Sequence, residues 1–483
     1  MGGAQLEPDP RRWKALSVLA LVSFMLVLDI TVVNVALPKI KIDLNMSESS
    51  LTWVVDSYVI MAGGLLLLGG RLGDLFGRRK LFFIGVGLFA VASALSGAAQ
   101  SSGMLVISRF LQGAGEAAAA PAAIGLVALL FTDPVERAKA LGIFGGVAGL
   151  GGTLGPVISG LLIEYASWRW IFFVNLPVAV IAIVAVRRLV DESRMVVAEH
   201  LVDEAPDYLG AAVSTAGLIS IVWGLIQAAE HSWTSAQVLG PLLAGVVLLV
   251  VFVKIESSVN NPLVPLKFFE NRTRVTANLT TIFFSSVFFT MFFLLTLYFQ
   301  QIQGWSAIKS GCAYLPFGVG IGVAIGISAV VLPKIGIKAG LTIGFLLYSA
   351  GIFWLAGLGV HAHYLTREMP ALILMALGSG FCFSSFQNAA LHEVSTDDAG
   401  LASGVQSAVQ QVGGALGLAA LATFALRHAT SDIKSGVSPA KAFVNGYSLA
   451  FYIGTGIMLL GALLVALLFE KVEFVPASEL PAH

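Results

Sequence analysis

Four ionisable residues stand inside long apolar runs of this 483-residue chain: Asp29, Asp56, Arg109 and Glu116. A charge at the bilayer centre costs about 3 kcal/mol on insertion scales, so each is a functional candidate by default. Asp29 lies mid-way along the first run with few polar neighbours in sequence. A carboxyl so placed can bind and release a proton. Asp56 lies in the second run, nearer its outer end, in Trp53-Val54-Val55-Asp56-Ser57-Tyr58. Arg109 and Glu116 are seven apart, nearly two helical turns, so both face one side about 10 Å apart along the axis. Gln112 lies between them on the same stripe. Arginine cannot release its own proton, but it can set the titration of a nearby carboxylate. Glu116 would add a second proton site or a carboxylate for a cation. A plainer reading stays open for each, as a helix cap, a loop partner or half of a structural ion pair.

Polar amides cluster late in the chain, at Gln387 and Asn388, then Gln406, Gln410 and Gln411. They can line a polar cavity or bond helix to helix. Phe283, Phe284, Phe288, Phe289, Phe292 and Phe293 crowd another run. Such a wall suits drug-like ligands and cation–π contact, and equally an apolar core. Other chemistries find no support. The two cysteines, Cys312 and Cys382, both lie in apolar runs, and no Cys/His cluster has zinc spacing. His361 and His363 read as a solvated pair. No phosphate-binding G-x-x-x-x-G-K-[ST] motif occurs, so no cofactor or ATP motor is expected and the energy source is an ion gradient.

The elements that must hold these residues are membrane helices. Apolar residues make up 57% of the chain and charged residues 12%, against roughly a quarter charged in a soluble domain. The net charge is zero, which gives no reason to expect nucleic acid. Cutting the apolar runs at charged or Pro/Gly-rich breaks gives spans near 15–37, 51–70, 81–99, 104–130, 138–163, 170–187 and 208–227. Seven more follow near 238–256, 276–299, 311–332, 339–358, 369–391, 400–425 and 446–469. The first run is expected to be retained, being too long for a signal peptide and lacking a small-residue cleavage site. With a cytoplasmic N-terminus, the inner segments hold 19 of the Lys and Arg residues and the outer segments 8, with Arg109 within a span. That bias favours both termini in the cytoplasm.

An internal repeat supports a division. Gly113-Ala114-Gly115, a charged loop with Glu136 and Arg137, and a Gly-rich run from Gly142 to Gly155 recur in order later. The later set is Gly378-Ser379-Gly380, Asp397-Asp398 and the run from Gly400 to Gly417. Two six-helix halves are expected at 1–187 and 275–483. A polar linker and two inserted helices would occupy 188–274. Duplicated halves place a substrate site at the midplane between them.

Particular blocks narrow this to a family. Gly70-Arg71-Leu72-Gly73-Asp74-Leu75-Phe76-Gly77-Arg78-Arg79-Lys80 matches G-x-x-x-D-x-x-G-R-R-K and resembles the loop signature of the major facilitator superfamily. Its glycines suit a tight turn, and Asp74 can meet a helix N-terminus or a cation. The stretch Leu28 to Pro38 resembles the first-helix signature of the 14-spanner drug:proton antiporters. Arg109-Phe110-Leu111-Gln112-Gly113-Ala114-Gly115 resembles their helix-four block. Gly142, Gly151, Gly155, Pro156 and Gly160 fit their helix-five antiporter block, with Ser159 where a glycine is usual. Glycines at 151 and 155 beside Pro156 would let another helix approach, slide or bend there. Trp168-Arg169-Trp170-Ile171-Phe172 and Asn175-Leu176-Pro177 are also similar to this family.

The resemblance implies an all-α polytopic membrane protein with the major facilitator fold and 14 transmembrane helices. It implies a monomeric, proton-coupled antiporter in a bacterial cell membrane. The substrate would be a hydrophobic, cationic drug or antibiotic leaving the cytoplasm or inner leaflet. Asp29, Asp56, Arg109 and Glu116 would carry proton coupling, with Asp29 the main proton-responsive carboxyl. Glu116, Gln112, Asn34, Gln387, Asn388, Phe288 and Phe292 would meet the substrate. Gly70, Asp74, Gly77, Arg78, Gly151, Gly155, Pro156 and Gly160 would serve conformational change. A dedicated exporter of one metabolite, antibiotic or lipid is the alternative. A membrane-embedded enzyme or sensor would need a catalytic constellation or signalling domain, and neither is visible.

Overall fold

A computed structural model describes residues 11–131, 133–190, 206–259, 262–390 and 399–470. Most of the 188–207 linker, with Arg194, and the Asp397-Asp398 pair lie outside the described residues. Among the described residues, 14 helices are long and apolar enough to cross a membrane. Their helical segments are α1 (Arg12–Asp43), α2 (Glu48–Phe76), α3 (Arg78–Gly97), α4 (Ser102–Leu130), α5 (Pro134–Tyr165), α6 (Trp170–Phe173), α7 (Asn175–Leu189) and α8 (Tyr208–Gln227). These are followed by α9 (Ala236–Glu256), α10 (Arg272–Leu297), α11 (Ala307–Cys312), α12 (Leu315–Ile335), α13 (Ile337–Ala356), α14 (Glu368–Ala390), α15 (Ala399–Lys434) and α16 (Pro439–Leu468).

Two expected spans are each broken into a pair of helices, α6–α7 and α11–α12. Pro177 and Pro316 stand in the first turns of α7 and α12. A proline has no N–H to donate back, so it opens a helix more readily than it continues one. Side-chain caps fix other starts. Ser101 accepts from the Met104 N–H at 3.2 Å, Asp133 from Glu136 at 2.8 Å and Asn271 from Arg274 at 3.0 Å. Each satisfies a backbone donor that the first turn leaves open. Gly77 (φ 98°) and Gly336 (φ 80°) make the turns from α2 to α3 and from α12 to α13. Only glycine adopts that backbone without strain.

Matched packing runs through both parts of the chain. Helix α1 packs on α5, α2 on α4 and α3 on α4. Later, α10 packs on α15, α12 on α14 and α13 on α14. The pair α8–α9 stands beside α2 and α15, with α9 mostly exposed and apolar, as a lipid-facing helix must be. The early and late helices meet most extensively at two seams, α2 against α15, and α5 against α11 and α12. The end of the bundle that carries the α2–α3 turn is called the basic end below.

Candidate functional site

Asp29 is fully buried on α1, and Arg109 on α4 is 1% exposed. They form an ion pair through Asp29 Oδ2 and Arg109 Nη1. Asp29 Oδ1 also accepts from Gln112 Nε2 at 2.8 Å and from Asn175 Nδ2 at 2.8 Å. Arg109 donates to Gln112 Oε1 at 3.0 Å and, through Nε, to the Val54 carbonyl at 3.1 Å. Ser93 receives Asn175 at 3.0 Å and donates to the Phe172 carbonyl at 2.8 Å. Five side chains from α1, α3, α4 and α7 thus close one network. A buried charge pair is tolerable only when partner and remaining hydrogen bonds are both present.

This corrects the expectation that Asp29 has few polar neighbours. Sequence adjacency showed an apolar run, but the neighbours come from other helices. Gln112 is fully buried, and its amide bonds inside the network. Asn175 and Ser93 were not singled out as site residues. Asn175 carried the one available signal, an amide inside an apolar stretch before a proline.

Glu116 lies one turn beyond Gln112 on α4 and is 7% exposed. Its Oε2 has no hydrogen-bond partner among the described residues. It sits beside Tyr58 of α2, in electrostatic reach of both Asp29 and Arg109. The Arg109 guanidinium carbon lies 4.2 Å from the centre of the Tyr58 ring, a cation–π distance. Tyr58 therefore borders both the arginine and Glu116. Asp56 is placed elsewhere. It is fully buried, and neither of its carboxylate oxygens has a hydrogen-bond partner among the described residues. It lies two turns before Gly63 on one face of α2. A Cβ at Gly63 would fall 2.7 Å from the Gln411 Cβ of α15. Asp56 thus faces the α15 seam, on the side of α2 away from the network.

Small residues line α5 in two registers. On α5, Gly151 and Gly155 face α1: a Cβ at Gly151 would fall 2.7 Å from the Phe24 carbonyl oxygen, and one at Gly155 would overlap Thr31. Ser159 keeps that approach close by donating to the Val32 carbonyl at 2.6 Å. A neighbouring stripe, Gly142, Gly146, Gly149, Thr153, Pro156 and Gly160, faces the late helices. Its far end is packed. A Cβ at Gly160 would fall 2.5 Å from Ile308 Cα, and Gly311 is pressed against Pro156. Its basic end is open. Among the described residues, nothing lies within 4 Å of a Cβ at Gly142, Gly146 or Gly149. The facing stripe repeats this: Gly311 and Gly318 are packed, Gly322 and Gly326 are open. The seam is therefore closed away from the basic end and parted towards it.

Comparison with known proteins decides the family. Residues 19–418 match the family model described as Major Facilitator Superfamily. The chain is 39% identical over 471 residues to the puromycin resistance protein pur8 of Streptomyces alboniger, covering 96% of this chain and 92% of that protein. It is 38% identical over 410 residues to the lincomycin resistance protein of Streptomyces lincolnensis, covering 84% and 83%. The chain belongs to the major facilitator superfamily. Among solved structures, a bacterial homologue of the human lysosomal transporter Spinster has the same fold. Its TM-score is 0.65 at 14% identity, with 97% of this chain and 98% of that one covered. The protein is a multi-pass membrane transporter related to antibiotic-resistance exporters.

The superfamily's loop residues form a clamp. Arg78 donates to Asp74 Oδ1 at 2.9 and 3.1 Å and to the Gly125 carbonyl of α4 at 3.0 Å. Asp74 thus takes the cationic partner among the two choices expected. Gly70 lies against Pro121 of α4. In the late helices of this superfamily member, Phe288 and Phe292 join an aromatic cluster with Phe317, and Phe288 also meets Phe383 of α14. Asn388 bonds its own helix at Ser384, and Gln387 is exposed. Gln406 donates to Thr281 of α10 at 2.6 Å, the interhelical role. Asn34 is nearly buried and bonds the Ile30 carbonyl of its own helix at 3.4 Å.

Proposed function

We propose that this transporter exports hydrophobic, cationic drugs or antibiotics in exchange for protons. The observation that carries the reading is an imbalance of buried charge in the early helices. Asp29 has Arg109 as its counter-ion, while Asp56 and Glu116 are buried with unpartnered carboxylate oxygens. Such groups must take up a proton or a cation, because an isolated buried carboxylate is too costly. Protons and cationic drug then compete for the same acids, and that competition couples their movements. Tyr58 and the Asp29–Arg109 pair position Glu116; Gln112 and Asn175 hold the pair. Phe288 and Phe292, with Asn34, Gln387 and Asn388, complete the substrate surface across the midplane.

The same reading has two halves, 1–187 and 275–483, moving against each other with 188–274 inserted between them. The basic end faces the cytoplasm in this reading, the orientation that the excess of Lys and Arg favours. The parted stripe on α5 and α12 then corresponds to a cavity open to the cytoplasm, from which substrate enters. Gly142, Gly146 and Gly149 meet Gly322 and Gly326 when that side closes. The Asp74–Arg78 clamp steadies the turn during this motion.

A second reading, a dedicated exporter of one antibiotic, is favoured by the relatives' names, each citing one compound. Inverted vesicles energised by respiration separate the readings. Puromycin, lincomycin and a lipophilic dye cation should all accumulate, and an uncoupler should abolish it. Uptake of one compound alone supports the dedicated exporter, and uptake indifferent to the uncoupler refutes proton coupling.

A further inference from the structure

Two acids outside the site just described meet at the basic end, where α8 begins and α9 ends. Asp207 is 8% exposed and Glu256 is 4% exposed. Each carboxyl spends one oxygen on a backbone donor. Asp207 Oδ1 accepts from the Gly210 N–H at 2.7 Å, capping α8. Glu256 Oε2 accepts from the Val264 N–H at 3.0 Å. The other two oxygens, Asp207 Oδ2 and Glu256 Oε1, are buried with no hydrogen-bond partner among the described residues. They approach one another in the space left by Gly210. A Cβ there would overlap Asp207 Oδ2 and lie 3.1 Å from Glu256 Oε1. Both oxygens border that one point, so the two carboxyls face each other across the space at Gly210.

Both facing atoms are acceptors, and among the described residues no donor reaches either of them. Among the described residues, neither acid forms an ion pair with a cationic side chain. Lys254 on α9 and Lys267 of the following segment are exposed. Arg274 of α10 lies over the Phe268 ring, 4.8 Å from its centre. The first three turns of α15 contain no ionisable residue. Two carboxylates cannot remain both charged at this separation in a buried site, so one proton between them is the cheapest resolution.

We propose that Asp207 and Glu256 form a proton-binding site that holds one proton between them and staples three segments together. The segments are the start of α8, the end of α9 and the strap that leads to α10. Leu263, Val264 and Phe268 of that strap pack with Ala211 of α8 and with Ala402 and Val405 of α15. Leu67 and Leu68 of α2 pack against this same cluster. The proton comes from water at the basic end and returns there. Its release leaves two like charges that push the strap off the α2–α15 seam. This site is independent of Asp29, Asp56 and Glu116, and its test does not require transport.

The test uses the full-length protein in lipid nanodiscs. The folded state holds a proton that the unfolded chain releases, so stability is present at low pH and falls as pH rises. The unfolding midpoint of the wild type should show that fall. Asp207→Asn and Glu256→Gln place an amide donor where the proton was, and asparagine remains a good N-cap. Both variants should lose the alkaline fall. An identical fall in Asp207→Asn would overturn the proposal. Restoration of the wild type at high pH by sodium or calcium would also overturn it, in favour of a metal-ion site. A measurement on the wild type alone guards against misfolded variants. A hydrophobic carbodiimide reacts with protonated carboxyls, and peptide mass spectrometry locates the adduct. Modification of Asp207 or Glu256 at low pH, lost at high pH, supports the shared proton. No adduct at any pH where the protein is folded contradicts it.

Discussion

Asp29 and Glu116 are acids of neighbouring helices with opposite surroundings. Asp29 has a buried counter-ion and two amide donors, whereas Glu116 keeps an oxygen without a partner. Their substitutions should therefore behave differently. Asp29→Asn strips Arg109 of its counter-ion, and breaking a buried pair costs about 3–5 kcal/mol. It should lower the melting temperature in detergent sharply, and adding Arg109→Gln should recover part of the loss. A single variant as stable as the wild type would refute the pairing. Glu116→Gln and Asp56→Asn replace unpaired carboxyls by neutral groups of the same shape. Both should fold normally, and each should weaken uphill export of a cationic dye by about tenfold or more, the effect of losing about 1.4 kcal/mol of coupling. Unchanged dye export in both would remove these acids from the coupling machinery. The four ionisable residues were legible in the sequence because bilayer cost makes them stand out. Their partners were not, since Asn175, Ser93 and Tyr58 reach the site only through helix packing.

Helix α5 is read twice along its length, and both readings depend on missing side chains. Its Gly151–Gly155 face is already pressed on α1, so any side chain there displaces a helix. Its other stripe is packed at Gly160 and empty at Gly146. Gly160→Leu should destabilise the protein, because Ile308 stands 2.5 Å from the new Cβ position. Gly146→Leu should fold at wild-type yield, since the space is open in this arrangement, but should stop the stripes from meeting. Transport should fail while cysteines at the open end stay accessible with or without substrate. Normal transport by Gly146→Leu would show that the stripes do not close on each other. The glycines of α5 were visible in the sequence as a close-approach face. The two separate registers were not, because a list of glycines does not say which helix each one meets. The helix breaks at Pro177 and Pro316 were missed for a related reason. Both lie inside runs apolar enough to read as one uninterrupted span.

Fourteen spans follow directly from the hydropathy of the chain, because a bilayer leaves a backbone few alternatives to the helix. Orientation rests on charge alone and is tested separately. With Cys312 replaced by serine, a cysteine at Ser232 should react with an impermeant thiol reagent on intact cells, and one at Ser258 should not. The reverse pattern would turn the molecule over. The exchange of drug for proton gives the most direct test of the whole account. Purified protein is reconstituted in liposomes with a pH dye in the lumen, and the lumen is made acidic relative to the bath. Adding a cationic substrate outside should drive its uptake and an alkaline shift of the lumen, both abolished in a variant lacking Glu116 and Asp56 together. Substrate uptake with no change in lumenal pH, or an unchanged shift in that double variant, would contradict proton-coupled export through these acids.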